Sequence, residues 1–450
     1  MSNKRLIELI DKTGEFKTES ALNYLIYKSL NGGLDKEDLE VLNNVNNEFS
    51  KSGEQGVNFE NYMLYTKLNI YNGQKEIYEA LIDQIETQLN QNLLLPEDDM
   101  FSIYKGVAIL ESLANRHPTA LDQVNEILKM ITESDVDISG ILEGIAESLI
   151  DNIHLRQENI YLLERLTEMA AIIKEPYMLD KYWAHSLSKL VLRLEDKPTL
   201  NEKIVNYVES NLDKVEKSVE KLGIYYGLAL YYMELNNLNP NESKEKADLY
   251  QNMLAKSVSN RGPALDKLYR DVLIIRLRAK RNDDVNENLK GLFLRYDNFK
   301  KQAGKENIDA AVYLISTGLS RLLKDSNLSD ELVESILKVI NDASDVVKIW
   351  GLIDLFTKFH YIGNESTNLI YDRIVSLIEK MGEEREEILE DWLTSSLAEI
   401  YSEEPNEAII NKLIEISQLE GAHPEDIYAN FFSSLSYFAE SKKFLLGFSS

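Results

Sequence analysis

The acidic run Asp283–Glu287 is the best candidate for metal chemistry in this sequence. Its adjacent carboxylates Asp283 and Asp284, with Glu287 one helical turn later, could hold magnesium ions against a diphosphate. The other acidic groups, such as Glu383-Glu384 and Glu403-Glu404, fall at predicted helix starts or ends, and none is a convincing second motif that completes such a site. Acidic residues are also favoured in the first turn of a helix, where the helix dipole attracts negative charge. We therefore interpret the run as the start of a helix and expect neither a metal site nor a cofactor.

Residues for other common chemistries are absent or unsuitably spaced. The chain has no cysteine, which excludes a thiolate nucleophile, a cysteine zinc site and a disulfide. None of its five histidines lies three to five residues from another, so no helix carries the paired histidines of a zinc protease. Glycine-rich phosphate loops and the G-x-S-x-G turn of serine hydrolases are also missing. We predict no catalytic residues, and we expect that the protein is not an enzyme.

A basic segment between residues 261 and 305 contains twelve Lys and Arg against six Asp and Glu. On the helix predicted over residues 264–281, four basic side chains share a stripe opposite an apolar stripe. These four are Lys267, Arg270, Arg278 and Arg281. Such a stripe could bind an acidic peptide or a phosphorylated ligand through charge-assisted hydrogen bonds. It could as easily pair with acidic helices of the same chain, and both interpretations stay open.

The chain of 450 residues carries a net charge of −27, which limits its partners. Nucleic acids and anionic membranes repel such a surface, so we expect neither as a partner. The N-terminal residues lack the apolar run of roughly 7–15 residues of an export signal. No apolar stretch approaches the roughly 20 residues that a membrane span needs. We expect a cytoplasmic protein.

The remaining sequence has the pattern of amphipathic helices almost throughout, with apolar residues at positions i, i+3, i+4 and i+7. The helix predicted over residues 328–340 is an example, with Leu332, Ile336 and Ile340 on one face. All eight prolines fall where a helix is predicted to begin, which is the position that tolerates proline. The sequence therefore predicts an all-α protein of helices joined by short loops.

The sequences of these helices show a weak internal repeat. Nine Leu or Ile anchors recur at a mean spacing of about 41 residues, which lies in the range of HEAT and armadillo arrays. The anchors are Ile109, Leu149, Leu187, Leu230, Ile275, Leu319, Leu355, Leu397 and Leu435. By period and helix pairing, the chain resembles the HEAT-like α-solenoid superfamily. No specific family within it is indicated.

The resemblance implies a right-handed α-solenoid of about eleven antiparallel helical hairpins. We expect one continuous array over residues 1–450, with N-terminal capping hairpins at 1–55 and central repeats at 56–402. A C-terminal capping hairpin and tail then occupy residues 403–450. The alternative architecture is a closed α/α toroid.

Two classes of function follow from these architectures. An array of hairpins leaves a long surface that contacts an extended partner, so we expect a scaffold that binds a partner protein or peptide. The alternative is an α/α-toroid enzyme with acidic residues in a central cavity. The composition and motifs favour the scaffold.

Overall fold

All regular elements among the described residues are helices, as the sequence predicts. The computed structural model describes residues 3–52, 59–90, 100–114, 116, 119–120, 122–123, 125–126, 205–206, 209–210, 212, 218–234, 240–259, 262–325, 330–359, 366–382 and 384–445. Two of the nine anchors, Leu149 and Leu187, lie outside these residues, as do four of the eight prolines. None of the described helices combines the length and apolar composition needed to cross a membrane.

The described helices number seventeen in our labelling. The first six are α1 Asn3–Ile10, α2 Lys17–Leu30, α3 Lys36–Ser52, α4 Phe59–Tyr71, α5 Lys75–Asn90 and α6 Met100–Leu113. The next eight are α7 Ser218–Glu234, α8 Pro240–Lys256, α9 Ala264–Lys280, α10 Asn286–Lys300, α11 Lys305–Asp325, α12 Asp330–Asn341, α13 Asp345–Phe359 and α14 Ser366–Ile378. Helix α15 joins Arg385–Glu387, the π-helical segment Ile388–Leu393 and Thr394–Glu403 without a break. The last two are α16 Glu407–Ile416 and α17 Pro424–Leu445.

The prolines in the described part confirm the predicted helix starts. Pro240 and Pro424 open helices α8 and α17, and Pro263 is the residue that precedes α9. Pro405 lies two residues before α16, whose capping residue Asn406 accepts a hydrogen bond of 2.8 Å from the backbone N–H of Ala408. Proline has no backbone N–H. At each of these positions an N–H would find no acceptor within the helix, so proline costs no helical hydrogen bond.

The helices form two compact units, and the first contains α1–α6 together with α17. Helix α2 packs against α4 and against α17, and α3 also packs on α2. The Tyr24 ring on α2 meets Phe432 on α17 edge-on at 6.1 Å between ring centroids. The Ser436 hydroxyl of α17 donates a 2.6 Å hydrogen bond to Asn23. Helix α17 therefore covers an apolar face of α2.

A buried carboxyl group lies near α5 in this first unit. Glu111 on α6 is fully buried, and its carboxyl group lies next to that of Glu86 on α5. Burial, and secondarily the nearby Glu86, raises the pKa of Glu111 from 4.5 to about 10. The carboxyl group is therefore protonated in the folded protein at neutral pH.

The second unit contains α7–α16, arranged in two rows. The odd-numbered helices α7, α9, α11, α13 and α15 pack on one another in chain order, and we call them the odd row. Each even-numbered helix packs on the odd-numbered helix before it, which makes a series of helical hairpins. The odd row carries five of the predicted anchors, one on each helix. Ile275, Leu319, Leu355 and Leu397 are at most 1% exposed, and Leu230 is half-buried.

Glycine allows two helices of the odd row to approach closely. A Cβ atom added to Gly318 on α11 would lie 2.3 Å from a methyl group of Val272 on α9. Valine has one strongly preferred rotamer in a helix, so its methyl group cannot easily turn away. In contrast, a Cβ atom on Gly291 of α10 would meet only the guanidinium of Arg295, at 3.5 Å or more.

We predict opposite effects from alanine at these two glycines. Gly318→Ala should destabilise the protein by about 1–3 kcal/mol because α9 and α11 must move apart. Gly291→Ala, the matched control, should stabilise it by about 0.5–1 kcal/mol because alanine favours the helix. Chemical denaturation of both variants measures the difference, and equal effects would show that the helix contact tolerates the extra methyl group.

The second prediction concerns the pH dependence of stability. Between pH 5 and 10 the folded chain keeps a proton on Glu111 that the unfolded chain releases, so the wild type loses stability as pH rises through this range. Glu111→Gln removes the titration and keeps the side-chain shape. We expect thermal melts at pH 5, 7 and 9 to show a growing advantage of the variant. A difference that is constant with pH would mean that Glu111 titrates normally in the folded protein.

Candidate binding site

The four predicted basic residues lie on one helix, as expected, but along its length and not around one point. Lys267 and Arg270 are near the start of α9, and Arg278 and Arg281 are at its end. Lys267 and Arg281 are 14 residues apart, which is about 21 Å along a helix axis. The opposite face is buried through Leu268, Val272 and Ile275, as predicted.

At least three of the four basic side chains bind groups of the same chain. Arg281 forms an ion pair of 2.9 Å with Asp248 on α8. Arg278 donates a 2.7 Å hydrogen bond to the side-chain oxygen of Asn288 on α10. Arg270 donates to the backbone carbonyl of Val258 at 3.2 Å. These contacts correspond to the intramolecular interpretation of the stripe, and its ligand role stays a prediction.

The sequence pattern did not single out Asp271, a carboxylate that Arg270 also contacts. Its side chain is only 8% exposed and forms ion pairs with Arg270 at 3.0 Å and with Arg295 of α10 at 2.5 Å. A buried carboxylate needs such partners because it has lost its hydration. Part of the basic segment therefore compensates a buried acid on α9.

The acidic run Asp283–Glu287 takes the form expected of a helix start. Asp283, Asp284 and Glu287 are exposed, and Asp284 accepts a 2.9 Å hydrogen bond from the backbone N–H of Asn286. Glu287 forms an ion pair of 2.8 Å with Lys290 one turn later. These carboxylates do not belong to any group of closely spaced metal-ligating side chains in the described part of the chain.

One group of metal-ligating side chains does occur in the described residues, at the π-helical segment of α15. Glu390 is buried and accepts hydrogen bonds from the imidazole Nδ1 of His423 at 3.0 Å and from its backbone N–H at 3.2 Å. The carboxylate of the exposed Glu386 lies 3.5 Å from the same Nδ1. The Glu390 contacts attach the loop around His423 to α15.

A groove between α13 and α15 is the most distinctive surface in the second unit, and we call it the tryptophan groove. It has a volume of about 330 Å³. The two helices contribute positions with the same spacing i, i+3, i+4 and i+7, which places four side chains of each on one face. On α13 these are Trp350, Ile353, Asp354 and Thr357. On α15 they are Trp392, Ser395, Ser396 and Glu399, together with Asp391.

The two sets of positions are equivalent in the repeat. Every groove residue of α13 has its counterpart on α15 at a distance of 42 residues along the chain, and Trp350 and Trp392 are one such pair. This distance matches the spacing of the anchors Leu355 and Leu397 on the same two helices. Two consecutive hairpins thus present the same positions side by side.

Aromatic rings from three helices meet along one edge of the groove. The indole rings of Trp350 and Trp392 are 4.5 Å apart at an angle of 87°, which is an edge-to-face contact. The ring of Tyr313 on α11 lies 6.1 Å from Trp350 and is 48% exposed. The indole N–H of Trp350 is buried and has no hydrogen-bond partner in the described part. A buried donor without an acceptor is costly, so this side chain is incompletely satisfied.

Carboxylates make the groove acidic. Three of them line it, Asp354, Asp391 and Glu399, and no lysine or arginine is among its described lining residues. Lys358 forms an ion pair of 3.0 Å with Glu399. Asp354 accepts a hydrogen bond from the hydroxyl of Ser320 on α11.

The π-helical segment positions two of these groove residues. In the segment Ile388–Leu393 the helix makes wider turns, and the Thr394 hydroxyl donates a 2.9 Å hydrogen bond to the carbonyl of Leu389, five residues earlier. Asp391 and Trp392 lie in this segment and line the groove, while Glu390 is buried. Single π-helical turns frequently occur at functional sites.

No protein-family model, no curated protein and no solved structure matches this chain. The class that the structure defines is therefore a coarse one, an all-α protein of helices packed against their neighbours.

The third prediction separates the two interpretations of the basic stripe. Arg270→Ala should destabilise the protein by about 1–3 kcal/mol because it removes hydrogen bonds to the buried Asp271 and to the Val258 carbonyl. Arg281→Ala is the control and should cost less than about 1 kcal/mol because its ion pair with Asp248 is partly exposed. Denaturant titrations measure both effects. If Arg281→Ala instead keeps full stability and weakens binding of an acidic peptide such as hexaglutamate, the stripe is a ligand site.

Proposed function

We propose that this chain is a non-enzymatic scaffold that binds a partner protein or peptide along the odd row. The observation that carries the proposal is the tryptophan groove, in which consecutive hairpins present equivalent positions to the same surface. Repeated positions suit an extended partner because each hairpin offers a similar contact at a regular distance. Tryptophan and tyrosine at such positions supply large contact areas and are enriched at the energetic centres of interfaces.

The same proposal includes the way in which the helices are arranged. We propose that the helices form HEAT-like repeats in a right-handed array of about eleven hairpins. The consecutive packing of the odd row in the second unit supports this, as does the burial of its anchors at spacings of 36 to 45 residues. In the first unit, α17 packs beside α2, so the segments predicted as N- and C-terminal caps contact each other, and this contact favours the alternative arrangement, a closed α/α toroid.

The exposure of Tyr313 also supports a binding role. Tyr313 is 48% exposed next to the tryptophan pair, where the contact with a partner would bury it. Leu294 and Leu369 are 64% and 71% exposed, and they lie on the even-numbered helices α10 and α14. These two leucines offer a comparison at greater exposure away from the groove.

The fourth prediction tests the scaffold function with the full chain immobilised and an extract of its own cells. We expect the chain to retain a specific protein that rebinds as a complex of fixed stoichiometry when both components are purified. Tyr313→Ala with Trp350→Ala should weaken this complex at least tenfold, since aromatic residues at interface centres often contribute 2 kcal/mol or more.

The matched control is Leu294→Ala with Leu369→Ala, which should leave the complex unchanged. Circular dichroism and thermal melts establish that both double variants are folded. Retention of no protein, together with turnover of a small molecule by the purified chain, would contradict the scaffold function.

A further inference from the structure

We propose that His423, Glu386 and Glu390 bind one zinc ion, which links the loop before α17 to α15. The site shares no residue with the tryptophan groove and does not depend on the scaffold function. Its three ligand atoms are the imidazole Nδ1 and one oxygen of each carboxylate, and all lie within 4.8 Å of one another. The described part of the chain contains no other group of three metal-ligating side chains this close together.

The distances between the ligand atoms suit a tetrahedral ion. Nδ1 of His423 lies 3.0 Å from Oε1 of Glu390 and 3.5 Å from Oε1 of Glu386. Zinc bonds to imidazole nitrogen and carboxylate oxygen are about 2.0–2.2 Å long, so the ligand atoms around a tetrahedral zinc ion stand about 3.3–3.6 Å apart. Small shifts of these side chains therefore admit the ion, which replaces the direct contacts between them.

The surrounding structure already holds the ligands together. Glu386 and Glu390 are four residues apart on α15, a spacing that places two side chains on one face of a helix. Glu390 is buried, and the backbone N–H of His423 donates a 3.2 Å hydrogen bond to the same Oε1 that faces the imidazole. Ligating carboxylates are commonly oriented by such an additional hydrogen bond. The ligands are thus positioned before the ion binds.

The donor set selects zinc over calcium and magnesium. Those two ions are bound by oxygen ligands, whereas an imidazole nitrogen favours zinc and other transition metals. The two carboxylates match the double positive charge of the ion. The exposed run Asp283–Glu287 differs in this respect, because it offers carboxylates without an imidazole. Three protein ligands leave one tetrahedral position, which a water molecule can fill.

A zinc ion at this site closes a long segment of the chain. Glu390 and His423 are separated by 33 residues, and the end of α15, all of α16 and the following loop lie between them. Metal ions that close long loops are expected to give the largest stabilisation. Because the three ligands come together only in the folded chain, zinc binding favours the folded state.

The test measures binding of zinc chloride to the full chain, purified without a polyhistidine tag and treated with a chelator. We expect isothermal titration calorimetry to give one zinc ion per chain, and thermal melts to show a melting temperature that rises with zinc concentration. Excess calcium chloride should not displace the ion. Absence of saturable binding at submillimolar zinc would overturn the proposal, and so would displacement by calcium.

Two neighbouring glutamates on α15 provide a matched pair of variants. Glu386→Gln removes the charge of a ligand, and we expect at least a tenfold loss of zinc affinity. Glu387→Gln makes the same change at the next residue and should alter the affinity less than twofold. Both side chains are exposed, so both variants should fold like the wild type. Equal losses would mean that the general acidity of the chain attracts zinc, and the site would be wrong.

Two histidines that precede a proline provide a second pair. His423→Ala removes the imidazole, and we expect at least a tenfold loss of affinity together with loss of the zinc-induced rise in melting temperature. His117 is the other histidine in this sequence context, and His117→Ala should bind zinc as the wild type does. Zinc binding that persists unchanged in both Glu386→Gln and His423→Ala would be adventitious and would overturn the proposal.

Discussion

The lateral packing of one odd-row helix on the next is the constraint on which the second unit depends. Leu319, Leu355 and Leu397 are fully buried on three consecutive helices of this row, so each helix completes the core of its neighbours. The contact of Gly318 with Val272 sets how closely α9 and α11 approach. A hairpin that cannot bury its apolar face alone is stable only when its neighbours cover it, which ties local helix formation to the array.

The same packing produces the tryptophan groove. Leu355 and Leu397 are buried 42 residues apart on α13 and α15, and Trp350 and Trp392, at the same separation, are in edge-to-face contact. Thr357 and Ser396 share a hydrogen bond of 2.5 Å between the same two helices. Core residues of each helix thus determine how the groove residues beside them are placed.

The sequence predicted what depends on local periodicity. The all-α class, the helix starts at Pro240 and Pro424 and the burial of the leucine anchors all follow from apolar spacing and proline chemistry. The tryptophan pair was missed, although its spacing of 42 residues is close to the mean period and was the available signal. A separation close to the repeat length shows that two residues occupy equivalent positions in the repeat. Whether they touch depends on how closely their helices pack.

The charges were harder to predict because their partners come from neighbouring helices. A stripe of four basic residues on α9 has the pattern of a ligand site, yet Arg270, Arg278 and Arg281 bind groups of the same chain. Arg270 also pairs with Asp271, which is buried. Composition cannot reveal a buried acid, since helical spacing places Asp271 beside the basic residues without indicating its exposure. Where cations compensate acids of their own chain, they contribute little to the outer field, and the negative groups that stay on the surface dominate it. The packing thus decides which charges are paired within the chain. It therefore also sets the sign of the charge on the surface that a partner contacts.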